Sequence, residues 1–158
     1  MNNYNDNRKY EKETMEAVMA KITEELFNEL QHTKNIAYYI EHHSSDFYSV
    51  SLPQHLKTLL KRTNHRKSTV IRLSCLNPSY AYQIFSGRKR PTRDKFLAIL
   101  IAMQFPLEEI QDTLKHFSYA SLYPRNRRDS LIIHAIEQQM NVMQCNILLS
   151  NHNESSLT

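Results

Sequence analysis

The stretch Leu76-Asn77-Pro78-Ser79-Tyr80-Ala81-Tyr82-Gln83-Ile84-Phe85-Ser86-Gly87-Arg88-Lys89-Arg90-Pro91-Thr92 decides the fold. Asn77-Pro78 is a helix start, because Asn caps well and Pro is preorganised for the first helical position. The helix runs to about Ser86 and stops at Gly87, the one glycine of the chain. Glycine reaches the left-handed conformation that commonly ends a helix without steric cost. A basic loop follows, and Thr92 caps another helix with Phe96, Leu97, Leu100 and Met103 as its apolar face and Asp94 in its first turn.

Short, closely punctuated helices are expected on both sides. Upstream, Ser51 caps a helix with Leu52, Leu56, Leu59 and Leu60 on one face, and Ser68 begins a second with Val70 and Ile71 inward. The turn Ser74-Cys75-Leu76 then leads into the quoted segment. Downstream, Pro106 opens a helix with Leu107, Ile110, Leu114 and Phe117 inward. A loop from Ser118 to Pro124 precedes a helix over about 126–139, with Leu131, Ile132, Ala135 and Ile136 as its stripe. Asn141 caps a last helix with Val142, Cys145, Leu148 and Leu149, and the polar tail from His152 is expected to be disordered.

The chain begins with an acidic arm. Met15, Met19, Ile22, Leu26 and Leu30 recur at helical spacing, and Asn35 to His43 continues with Ile36, Tyr39 and Ile40 inward. Ser44-Ser45-Asp46 reads as a connector. The arm either packs on the main domain or forms a dimer seam, and the spacing alone fits both.

The net charge of +4 hides a segregation. Residues 1–50 carry five Lys/Arg against nine Asp/Glu, residues 51–95 carry eleven against Asp94 alone, and residues 96–158 carry four against six. A 45-residue block this basic gains affinity for polyphosphate by releasing condensed counterions. A membrane surface fits less well, because no helix pairs a basic face with Trp or Phe opposite it. No apolar run approaches a membrane span, and the first residues lack the features of a signal peptide, so a cytoplasmic protein is expected.

Several function classes fall away. One glycine cannot build a phosphate-cradling GxxxxGK[ST] or GxGxxG loop. Cys75 and Cys145 have no cysteine neighbour, and the pair His42-His43 lacks a third ligand at zinc spacing, so neither a metal site nor a disulfide framework is expected. No nucleophile falls beside a base, so no catalytic residue is assigned and the chain is not read as an enzyme. No cofactor is called for.

The five helices from Ser51 to Phe117, the second and third joined by a brief turn, form a helix-turn-helix layout. The quoted segment resembles the Cro/C1-type repressor family, also called the xenobiotic-response-element family, at Ile84, Gly87, Arg88-Lys89-Arg90 and Pro91. The resemblance covers about 65 residues. Two positions depart from it: Cys75 replaces the usual turn glycine, and Phe85 replaces the usual Glu. The stretch Tyr119 to Asp129 is also similar to a C-terminal extension of some bacterial members.

The resulting expectation is an all-α chain. It comprises an N-terminal helical arm (1–50), a five-helix phage-repressor-like helix-turn-helix domain (51–117), two additional C-terminal helices (118–151) and a tail (152–158). The resemblance implies a sequence-specific, double-stranded-DNA-binding transcriptional regulator, a repressor working as a homodimer on two half-sites about one helical turn apart. Ser79 and Gln83 lie four apart on one face of the recognition helix and match base-reading positions, with Tyr80 and Tyr82 flanking them. Gln bonds adenine in a bidentate way, and a phenol can touch a thymine methyl or bond a phosphate. Arg88, Lys89, Arg90 and Arg93 match the region that grips phosphate, while Lys67 and Ser68 open the helix before the turn, whose amides suit phosphate. Arg125, Arg127 and Arg128 are expected in salt bridges with Asp129 and neighbouring acids. A regulatory protein partner is a further expectation. The alternative is a helix-turn-helix fold that docks an acidic protein, a reading that Phe85 and the tyrosines keep open.

Overall fold

The structure is a computed structural model that describes residues 23–47 and 50–158, so the expected stripe positions Met15, Met19 and Ile22 lie outside the described residues. The described residues are all helical, with no strand among them, and no described helix is long and apolar enough to cross a membrane. The chain divides into two compact units, residues 1–49 and 50–158.

In the first unit, a helical run over 23–32 (α1) is followed by α2, Ile36–His42. Asn35 caps α2 by accepting from the Tyr38 N–H at 3.1 Å. Tyr39 is buried and its hydroxyl donates to the Leu26 carbonyl at 3.0 Å, tying the two helices together. Ile36 and Ile40, expected inward, are 55% and 53% exposed. Tyr39 is the buried residue of α2, and it packs against the rings of His43 and Phe47.

The second unit holds α3 (Leu52–Arg62), α4 (Lys67–Leu73), α5 (Pro78–Phe85), α6 (Arg93–Ala102), α7 (Leu107–His116), α8 (Arg127–Glu137) and α9 (Val142–Asn151). α4 begins at Lys67, one residue before the expected Ser68, with Arg66 at its N-cap; the other starts fall at or beside the expected residues. The Gln54 side chain accepts from the Ser51 N–H and hydroxyl, Asn77 accepts from the Tyr80 N–H, and Thr92 accepts from the Lys95 N–H. Asn126 caps α8, and Asn141 and Gln144 form a reciprocal capping box on α9, with both bonds at 2.9 Å.

α6 lies at the centre. Phe96, Leu97, Ala98, Ile99, Leu100, Ile101 and Ala102 are all buried, so beyond its first turn the helix has no solvent face. Such burial is the structural form of an apolar run with no polar break. α4 and α7 pack against α6, and α9 packs against it as well. Ile132, Ala135, Val142, Cys145 and Leu149 of α8 and α9 therefore join the same core as Leu56, Val70, Ile84 and Ile110. The segment 118–151 is thus part of one compact unit with 51–117 rather than an appended extension.

The tail is the second correction. Residues 152–158 are ordered against the domain: Leu157 is 1% exposed, its N–H donates to Asn146 Oδ1 at 2.8 Å, and the Asn146 amide donates to Thr158 Oγ1 at 2.8 Å. The polar residues around Leu157 suggested solvent, but one well-buried leucine with a satisfied backbone outweighs them.

Candidate nucleic-acid interface

Asn77 and Pro78 set the start of α5, and Ala81 and Ile84 anchor it with fully buried side chains. This fixes the helix rotation and turns Pro78, Ser79, Tyr82 and Ser86 outward as exposed residues. The approach from α4 is equally determined. Cys75 adopts φ +57°, the left-handed region, at the position where a glycine would be expected. Buried Ser74 spans the turn: its hydroxyl donates to the Ile71 carbonyl at 2.7 Å and accepts from the Leu76 N–H at 3.4 Å. The hydroxyl satisfies backbone groups that a bare turn would leave unpaired. Sequence reading did not single out Ser74, although a small polar residue inside an apolar run was a visible signal.

At the other end of α5, Gly87 has φ +80°, and a Cβ placed there would lie 2.8 Å from Pro53 Cγ of α3. The Arg88 and Lys89 N–H groups donate to the Gln83 carbonyl at 2.9 and 3.2 Å, so the basic loop folds back over the last turn of α5.

A surface depression of about 450 Å³ results, lined by Lys67, Ser79, Tyr82, Gln83, Phe85, Ser86 and Arg88. It gathers five of the predicted site residues: Lys67, Ser79, Tyr82, Gln83 and Arg88. The Lys67 ammonium lies 5.6 Å from the centre of the Tyr82 ring. Ser68, Lys89 and also Arg66 are exposed near the same helix ends in sequence. Arg66, Arg72, Arg88 and Lys89 form no ion pair with another described residue, so their charge is available to a ligand.

Three predicted site residues are not brought to this face. Tyr80 is half-buried against the core and borders a separate depression with Cys75, Leu76, Asn77, Lys95 and Thr158. Two helical positions separate it from Tyr82, which is about 200° of rotation, so the two phenols cannot flank one face. Arg93 is committed elsewhere: it makes a bidentate pair with Asp129, both bonds at 2.9 Å, and donates to the Ala120 and Ser121 carbonyls at 2.7 and 2.9 Å. A guanidinium with four of its five N–H donors already used by one carboxylate and two carbonyls acts as a structural clamp. Arg90 donates to the Phe117 carbonyl and stacks over the Tyr119 ring at 5.1 Å, so it secures the end of α7 while remaining exposed.

Burial presses the Asp129 carboxyl toward its neutral form, but the Arg93 bonds, the Tyr123 N–H and the charge of Arg128 more than offset this and hold its pKa below the usual value. Arg128 makes a bidentate pair with Asp94, both bonds at 3.0 Å, and Arg127 pairs with Glu154 at 3.0 Å. Arg128 and Arg127 thus meet acids, as expected, though Asp129 itself goes to Arg93. Phe85 is half-buried against the core, so its ring is not displayed as a docking knob.

Among the described residues no group of His, Cys, Asp and Glu could hold a metal ion. His43 is held between Asp46 at 2.9 Å and Glu29 at 3.0 Å, and those two bonds raise its pKa. Cys145 is buried, which pushes its thiol up to about 11 and leaves it an inert core residue. No family model, curated protein or solved structure matches the chain.

Proposed function

We propose that the chain is a sequence-specific DNA-binding transcriptional regulator, a repressor, in which α4 and α5 form a helix-turn-helix and α5 enters the major groove. The observation that carries this reading is the convergence on one face of α5. There an exposed polar stripe with Tyr82 and half-buried Gln83 adjoins Lys67 and Arg88, with exposed Arg66 and Lys89 at the adjoining helix ends. Base-edge readers in the middle and cations at the margins are what a duplex requires, since phosphate contacts position the helix and base contacts specify the sequence. The left-handed Cys75 and the bridging Ser74 support the turn. The reading does not use Arg93 or Tyr80.

The unit that reads DNA is a homodimer, because one helix of this length meets too few base pairs to specify a site, and two-fold partners read two half-sites about one turn apart. The test is selection of bound duplexes from random DNA by the purified chain at low and moderate salt. An inverted-repeat motif is expected, with affinity falling by roughly 0.9 log units per log unit of salt for each phosphate neutralised. Binding of an acidic protein with no duplex binding at either salt overturns the reading in favour of a protein-docking module.

A further inference from the structure

Tyr82 is the largest exposed side chain on α5, with 46% of its surface open. Pro78 has no polar group, Tyr80 packs inward and Gln83 is half-buried. Among the described residues, the cation set over the Tyr82 ring is Lys67, from the first position of α4, at 5.6 Å from the ring centre. An ammonium within about 6 Å of an aromatic face is attracted by the ring quadrupole. Lys67 meets no described carboxylate, so this contact is not competing with an ion pair.

We propose that Lys67 is a positioning residue that holds the Tyr82 phenol in one pose, and that Tyr82 so held is a specificity-determining residue for the bound duplex. The inference rests on the DNA-binding reading above and changes the role of Lys67 within it. A free phenol loses rotamer freedom when it meets a base edge, whereas a phenol already clamped by its neighbour loses less. Its hydroxyl can then donate or accept at one base pair while the ring edge meets a thymine methyl. A lysine that serves only as a phosphate anchor would instead strengthen every sequence alike.

The experiment uses the full chain with three variants. Lys67→Met keeps the stem and removes the charge, Lys67→Arg keeps a cation, and Tyr82→Leu removes the ring. In selection from random duplexes, Lys67→Met and Tyr82→Leu are expected to weaken preference at the same base-pair positions, by about two- to five-fold for the former. The double variant is expected to be no flatter than Tyr82→Leu alone, Lys67→Arg to retain the preference, and the salt slope of Lys67→Met to match wild type. A Lys67→Met variant with unchanged preference, uniformly lower affinity and a slope smaller by about 0.9 overturns the proposal and makes Lys67 a phosphate ligand.

In the free protein, the Lys67 ε-methylene protons are expected upfield of their usual position and to return to it in Tyr82→Leu; no such shift also overturns the proposal. A wild-type chain that shows the shift but prefers no duplex overturns the DNA reading, and the positioning role with it, while leaving the contact itself intact.

Discussion

At the scale of single residues, Gly87 is more informative than its φ alone. Cys75, Gln104, Ser118, Gln139 and Asn153 adopt the same left-handed conformation with φ between 53° and 59°. Each follows a helix, so α4 to α9 all end the same way, five of them without glycine. A left-handed backbone therefore does not by itself demand glycine in this chain. The added demand at Gly87 is the 2.8 Å approach of Pro53 to the place a Cβ would occupy. Gly87→Ala is expected to destabilise the fold by roughly 2–3 kcal/mol, combining the left-handed penalty with the clash. In a Pro53→Ala background the same change should be smaller by about 1 kcal/mol, because the clashing methylene is gone. Equal losses in both backgrounds, measured by denaturant unfolding, would assign the whole effect to the backbone. By the same logic Gln139→Gly, where no such contact exists, should stabilise by about 0.5–1 kcal/mol.

At the scale of elements, helix starts were legible and helix partners were not. Ser51, Asn77-Pro78, Thr92, Pro106, Asn126 and Asn141 all stand at or beside the starts they announced, because a cap acts within three residues and leaves a local signature. The role of Arg93 depends on Asp129, 36 positions away, and a basic loop read locally resembles a phosphate grip whatever its guanidinium later meets. Tyr80 was misplaced for a related reason: its outward or inward direction is set by what packs on the far side of α5. The α3–α7 seam carries another long-range pair. His55 and His116 stack with ring centres 5.4 Å apart, and His55 Nε2 is buried without a hydrogen bond among the described residues. Burial, followed by the neighbouring His116, lowers the His55 pKa, while Glu109 opposes this and Arg62 adds to it. A histidine whose folded pKa lies below its unfolded value of about 6.5 binds fewer protons when folded. Its favourable contribution is thus present above pH 6.5 and is lost as pH falls from there through the folded pKa. Denaturation midpoints measured from pH 7.5 down to pH 5 should fall for the wild type and fall less for His55→Phe, which keeps a ring and loses the proton site. Parallel curves for the two would rule His55 out as the titrating group.

At the scale of the whole domain, the five-helix resemblance covered residues 51–117, with a further likeness over 119–129, and the molecule does not end its core there. The run Phe96 to Met103 has no polar break, and a helix apolar all round needs a partner on every side. The five helices from α3 to α7 supply only part of that cover. α8 and α9 supply the rest, with Arg93–Asp129 and Arg128–Asp94 pinning them to the start of α6 and Leu157 closing the edge. A chain cut after residue 117 would leave apolar surface of α6 in water and Arg93 without its carboxylate. At about 25 cal/mol per Å² of apolar surface, exposing even one helix flank removes several kcal/mol, comparable with the whole stability of a small domain. The fragment 50–117 is therefore expected to lose cooperative unfolding and to expose hydrophobic surface to a dye, while the fragment 50–158 unfolds in one sharp transition. A single substitution gives a finer test. Leu157→Ala should cost about 2–4 kcal/mol if the tail is a core segment, and close to nothing if those last residues merely trail in solvent. A stable 50–117 fragment together with a neutral Leu157→Ala would mean that α3 to α7 stand alone and that the C-terminal helices serve some separate purpose.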